Sequence, residues 1–401
     1  MPSELRLDGY QTFVAASLVL LAGRLLVARI PALRTFSIPE PVAGGVTAAL
    51  VLLAIHAASG VAVRFDTTLQ TPFMLAFFAT IGLGADLRSL AAGGRTLVRF
   101  LAVVLAFLLV QNLVGMGMAR LLGLDPRVGL LAGSIALSGG HGTAAAWGAV
   151  FARDGVPSAI EIGMAGATFG LVLGGVTGGP VAGWLLRHGH PAPGSDAGSD
   201  APPSGFEQPA AVRLITAPAL VETLALIAVC LWLGTVAAGA LAGTAFELPV
   251  FVPVLFVGVA LRNGLSWVAG YEPFDRAVSV VGNVSLALFL AMALMTLRLW
   301  ELAHLALPVL AILLVQAVLL AAWVVKVTYP AMGRTYDAVV LGAGQCGFGL
   351  GGTPTAIANM QAITNRFGPS RVAFVVVPLV GAFFLDLANA VTIKVFLSIL
   401  R

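Results

Sequence analysis

Charge is what this sequence has least of. Only 10% of its 401 residues are Asp, Glu, Lys or Arg, against about 25% in a soluble domain. That leaves too little polar surface to cover a water-soluble fold of this length, and a soluble globular enzyme is excluded. Cysteine is nearly absent as well: Cys230 and Cys346 both lie inside apolar sequence, so no disulfide framework is readable. Clusters of one sign are missing too. The net charge is +4 and the pI near 9.5, but the 22 basic residues are scattered between apolar runs, which leaves nucleic acid no footprint. Nor is there a leader pattern at the start, where Glu4 and Asp8 flank Arg6 and the first apolar run is followed by many others.

What fills the chain instead is apolar sequence: 59% of residues are hydrophobic and the mean hydropathy is +0.99. Its solvent is lipid, and the fold class is an all-α polytopic membrane protein. A span needs roughly 17–25 mostly apolar residues. Ten stretches qualify: 11–28, 40–58, 71–86, 98–122, 160–186, 214–236, 247–265, 277–297, 304–326 and 370–397. Two more apolar segments, 128–152 and 336–362, are crowded with Gly, Ser and Thr. Broken backbone at membrane depth is tolerated only where protein or a water-filled cavity satisfies it, so both are expected to be re-entrant hairpins.

One clearly polar stretch, His188 to Gln208, divides the chain near its middle as a flexible linker. Weak copies flank it. Leu75-Ala76-Phe77-Phe78 aligns with Leu286-Ala287-Leu288-Phe289, Leu108-Leu109-Val110-Gln111 with Leu313-Leu314-Val315-Gln316, and Gly140-His141-Gly142 with Gly347-Phe348-Gly349, at offsets of 211, 205 and 207 residues in the same order. The expected organisation is therefore residues 1–187, a linker 188–212, and residues 213–401, each half five spans plus one hairpin. An odd number of spans per half makes the repeat an inverted one. With the N-terminus outside, fourteen of the 22 basic residues fall on the inner side, so both termini are expected to be periplasmic and the linker cytoplasmic.

The chemistry-bearing residues concentrate in the hairpins. The first carries Ser138, Gly139, Gly140, His141, Gly142 and Thr143; the second carries Cys346, Gly347, Phe348, Gly349, Thr353 and Thr355. Glycine allows close approach to backbone N–H groups, helix N-termini attract anions, and exposed carbonyls of broken helices coordinate small cations. The plain alternative is tight packing through small residues. Gly139 and Gly347 would also let the loops move, so that Gly347→Ala should depress uptake in a protein that still folds. Intramembrane acids are functional hypotheses by default. Asp386 and Asn389 share a helical face three residues apart and, with Glu161, form the candidate cation set, the alternatives being interhelical bonding and helix-dipole compensation. Gln111 and Gln316 sit at matching places inside apolar spans, serving either ligand contact or helix-to-helix bonding. His141 can shuttle protons, bind substrate or satisfy backbone, and with Cys346 makes two isolated residues rather than a metal set.

The stretches Ile38 to Gly45, Met74 to Gly82, Leu130 to Trp147, Gly243 to Pro249 and Cys346 to Phe367, the last with Thr353-Pro354-Thr355-Ala356-Ile357-Ala358-Asn359-Met360-Gln361, carry a family resemblance. The chain resembles the bacterial sodium/glutamate symporter family over nearly its full length. The resemblance implies a homodimeric, Na⁺-coupled L-glutamate importer of the inner membrane, with ten spans and two opposed re-entrant loops forming the substrate and ion site. The family is similar in organisation to sodium-coupled 2-hydroxycarboxylate carriers, which implies an elevator-like movement. No organic cofactor is implied. Two rivals stay open: a Na⁺- or H⁺-coupled carrier of another dicarboxylate or hydroxycarboxylate, and a membrane-embedded enzyme or receptor using His141 and Cys346.

Overall fold

The computed structural model describes residues 4–35, 38–189, 215–244, 248–296 and 305–400. Most of the expected linker 188–212 lies outside them. Helices dominate, beside one short parallel pair, β1 (Glu4–Leu7) and β2 (Ala62–Phe65). The helices before the linker are α1 (Gly9–Arg29), α2 (Pro31–Thr35), α3 (Glu40–Ser59), α4 (Gln70–Leu83), α5 (Arg88–Leu121), α6 (Pro126–Leu130), α7 (Gly140–Arg153) and α8 (Ala159–His188). After it come α9 (Ala217–Leu241), α10 (Phe251–Gly264), α11 (Asp275–Met295), α12 (Ala306–Trp323), α13 (Tyr336–Leu350), α14 (Thr353–Phe367), α15 (Arg371–Leu379) and α16 (Leu385–Leu400).

Local chemistry sets the boundaries. Asp8 and Gln11 form a reciprocal capping box at the start of α1, and Gly60 in the left-handed region ends α3. Asp125 accepts the Arg127 N–H at 2.8 Å to start α6, and the bound Arg127 side chain holds the Asp125 carboxyl below the usual range. Four turns of π-helix interrupt the ladder: Leu131–Ile135, Leu265–Ala269, Val324–Thr328 and Val380–Phe384.

Among the described residues, eight helices are long and apolar enough to span a membrane. They match eight of the ten expected spans. The third, 71–86, is shorter: α4 has 14 residues and stops at Gly84, because the backbone there turns back on Thr80 and Gly82 carbonyls. The tenth, 370–397, is α15 and α16 joined through a π turn. Exposed Val14, Leu18, Leu21 and Leu25 run along α1 at helical spacing, as Val221, Leu224, Trp232 and Val236 do near matching intervals on α9, giving each a lipid-facing stripe.

The chain forms two compact units. Unit 1 comprises 1–86, 141–165 and 215–307; unit 2 comprises 87–140, 166–214 and 308–401. Each therefore takes sequence from both sides of the linker. In unit 1, α1 and α3 approach so closely that a Cβ on Gly23 would strike the Glu40 carbonyl and one on Gly44 the Val19 carbonyl, the small-residue contact of membrane helices. Its core gathers Val42, Ala49, Ala145, Met164, Phe289 and Leu294. In unit 2, α5 meets α6 at Gly115 and Gly129, and Phe107 packs on Trp323 with ring centroids 5.7 Å apart.

Candidate functional site

The second Gly-rich segment folds as a helical hairpin, and the first is helix, break and helix again. It runs through α6 and the π turn, breaks at Ser138-Gly139, and resumes as α7; Gly140 opens the resumed helix with φ 66°, a conformation glycine adopts without strain. The second descends as α13, breaks at Gly351-Gly352, and returns as α14. Here the structure moves an expectation. Cys346 to Gly349 are not part of an unwound tip but of the last turn of α13, where Gly347 O accepts the N–H groups of Gly351 and Gly352 at 2.9 and 3.0 Å. Gly347 is needed elsewhere, since a Cβ on it would run into the Ala356 backbone of the returning arm.

Within unit 2 the two tips meet. A Cβ on Gly140 would sit 3.6 Å from the Gly351 carbonyl oxygen. Ser138 Oγ donates to Gln111 Oε1 at 2.7 Å, with the Gly349 carbonyl a second acceptor at 3.4 Å. Gln111 donates through Nε2 to the same Gly349 carbonyl at 3.2 Å, and its own backbone oxygen accepts Gln316 Nε2 at 2.8 Å. One fully buried residue on α5 thus ties the first tip and the second hairpin through its side chain and α12 through its backbone carbonyl. The return arm α14 offers first-turn N–H groups that no helical carbonyl can reach, and the hydroxyl of Thr355, 1% exposed, has no partner. With Thr353 at its first position, this 15-residue helix has the chemistry of a carboxylate receptor.

The remaining residues distribute as follows. His141 and Thr143 lie on α7 in unit 1, each 7% exposed, and Gly142 is held against Phe77, whose Cε1 would be 2.6 Å from a Cβ there. Cys346 is fully buried, and the Phe348 ring packs edge-on against Phe100 at 6.1 Å, turned into the core of unit 2. Asn389, on α16, donates to the Ser134 carbonyl at 3.0 Å, which brings it to the first hairpin. Asp386 opens α16 half-buried, while Glu161 opens α8 and belongs to unit 1. Sequence reasoning missed Ser134, and had Gln316, and Asn112 beside Gln111, as residues for either ligand contact or helix-to-helix bonding. Ser134 N–H donates to Asn112 Oδ1 at 3.2 Å. The signal available was the amide pair Gln111-Asn112, two adjacent polar side chains that a single helix cannot point the same way.

The sequence model of the family described as sodium/glutamate symporter matches residues 5–369. The chain belongs to that family. It is 59% identical over 394 residues to the sodium/glutamate symporter of Escherichia coli (strain K12), covering 98% of each chain. To the sodium/glutamate symporter of Haemophilus influenzae it is 50% identical over 395 residues, again 98% of each. The family match takes in both hairpin tips, Gln111, Thr353 and Thr355; Asp386 and Asn389 lie beyond its limit but inside the near-complete coverage of the relatives. The family's members are transporters, so the membrane-embedded enzyme or receptor is set aside.

Proposed function

We propose that the chain imports L-glutamate with Na⁺ across the bacterial inner membrane by alternating access. The observation that carries this reading is the meeting of two broken-helix tips around Gln111 in a chain of the sodium/glutamate symporter family. Glutamate's carboxylates are received by the free N–H groups of α14, the hydroxyls of Ser138, Thr353 and Thr355, and the glycine backbone at Gly139 and Gly140. His141, Gly142 and Thr143, on α7, are the other residues given to substrate binding. Cys346, Gly347, Phe348 and Gly349 act by shaping the second tip. Na⁺ is held by Asn389 and Asp386; Glu161, in unit 1, is a separate candidate for the ion.

The architecture belongs to this proposal: ten spans, as two inverted halves of residues 1–187 and 213–401 joined by a cytoplasmic linker at 188–212, with both termini periplasmic. It is supported by the matching order of helices, since, with the five-residue α2 set aside, the described part of each half runs three helices, a fourth, a Gly-rich broken segment and a last long segment. Unit 2, which contains the tips and Asn389, is the body that moves in an elevator-type cycle, and two copies associate as a homodimer. A net negative substrate is opposed by a negative interior, so more than one Na⁺ per glutamate makes entry electrically favourable.

The test is uptake of labelled L-glutamate into proteoliposomes with and without an inward Na⁺ gradient, with aspartate and citrate as competitors. Concentrative, Na⁺-driven uptake is the expected result. Uptake indifferent to Na⁺, or blocked better by citrate, would favour the carrier of another acid.

A further inference from the structure

Just below the first tip, unit 2 leaves four buried side-chain groups without a hydrogen-bond partner: Ser134 Oγ, Asn389 Oδ1, Gln316 Oε1 and Asn112 Nδ2. None of the four residues is more than 1% exposed. They come from four elements, the π turn after α6, α16, α12 and α5. The bonds already made fix which end of each amide is spent. Asn389 Nδ2 is on the Ser134 carbonyl, Gln316 Nε2 is on the Gln111 carbonyl, and Asn112 Oδ1 holds the Ser134 N–H. Gly133 brings them to one place. Its non-helical backbone (φ −106°, ψ −130°) breaks the arm, and a Cβ on it would lie 3.4 Å from Asn112 Oδ1 and 3.6 Å from Gln316 Nε2.

An unpaired buried polar group costs about 1–3 kcal/mol, and native interiors hold few of them. Three orphan oxygens on residues gathered at one broken turn are therefore unfinished without a bound species. All three are neutral oxygen ligands, which suits a hard, weakly charged cation; a divalent ion would call for several carboxylates. Asp386, three residues before Asn389, adds the charge in that stretch of α16.

Resting on the symport reading, we infer that this cluster is the coupling-ion site: Na⁺ held by Ser134 Oγ, Asn389 Oδ1 and Gln316 Oε1, with Asn112 Nδ2 binding a water that completes the shell. The site explains coupling. The Ser134 carbonyl accepts the N–H groups of Ser138 at 3.2 Å and Gly139 at 2.9 Å, so an ion that fixes Ser134 fixes the substrate tip one turn away. By linkage, glutamate at the tip must then tighten Na⁺ by the same factor.

Ser134→Ala removes an oxygen that makes no protein hydrogen bond, so the fold is retained. In proteoliposomes its Na⁺ concentration for half-maximal glutamate uptake should rise about tenfold, the loss of one ligand to a charge, with maximal uptake recovered at saturating Na⁺. In detergent, the rise in melting temperature on replacing choline chloride by NaCl should need correspondingly more salt. Gln316→Met supplies the same two measurements should Ser134→Ala not fold. Unchanged Na⁺ half-saturation together with an unchanged NaCl effect would make the cluster a water pocket and overturn the assignment alone. Uptake by the unaltered protein that ignores Na⁺ overturns the symport reading and this site with it.

Discussion

Gln111 reaches outside its own helix with three groups: Oε1 takes the Ser138 hydroxyl, Nε2 goes to Gly349, and its backbone carbonyl receives Gln316. Gln111→Leu keeps the volume and removes two of those links, leaving the Gly349 carbonyl with only the 3.4 Å contact to Ser138. The buried carbonyl and hydroxyl lose about 1–3 kcal/mol of satisfaction. The glutamate KM for uptake should rise roughly tenfold, and an unchanged KM at fixed Na⁺ would count against a tip-positioning role. Gly347 illustrates a different dependence on size. A methyl group there meets the Ala356 backbone rather than a yielding side chain, so Gly347→Ala forces the hairpin arms apart at about 1–3 kcal/mol. The expectation of reduced uptake with intact folding gives way to a lower melting temperature in detergent, readable by loss of monodisperse protein.

The second hairpin is docked as an element, through a row of glycines on α8. A Cβ on Gly170 would strike the Leu350 carbonyl, one on Gly174 would stand 3.1 Å from Gly347 O, and one on Gly178 would overlap the Asn359 amide. Asn359, on α14, crosses this contact, donating to Gly174 O at 2.9 Å and Ala343 O at 3.3 Å. Asn359→Leu should remove both crossing hydrogen bonds and loosen hairpin from helix, costing about 1–3 kcal/mol. Thermal melting and protease sensitivity near residues 350–360 would register it; a melting curve like that of the unaltered protein would show the docking to rest on the glycine row alone. This level of organisation was partly legible. Runs of twenty apolar residues announce spans, and Gly-Ser-Thr crowding marked the two segments in which the helix breaks. Where the second one breaks was not legible, because Gln345 to Gly352 contains several glycines that could each turn. Tertiary contact decides: Gly347 serves the close arm, Gly349 offers its carbonyl to Gln111, and the turn falls to Gly351-Gly352. Ser134 stayed hidden for the same reason, since its importance comes from α16, 255 residues away in sequence.

At the scale of the molecule, the sequence halves and the compact units are different divisions of one chain. Unit 1 is built mainly from α1–α4 and α9–α11, and unit 2 from α5 and α12 onward in their halves, with α7 and the start of α8 assigned to unit 1. Neither half contains a complete unit. The buried bonds make the dependence concrete: the Gln111 amide needs Gly349, the Gln316 amide Gln111, the Asn389 amide Ser134 and the Asn359 amide Gly174, each pair divided by the linker. Expressed separately, residues 1–200 and 201–401 should each insert yet leave those buried groups unmet, which in a bilayer no water can relieve. Each fragment alone should be protease-sensitive and without glutamate uptake, while co-expression should restore Na⁺-driven uptake and let the fragments co-purify. A protease-resistant first fragment on its own would mean that the halves are the folding units, and that the interleaving arises only after each has already folded.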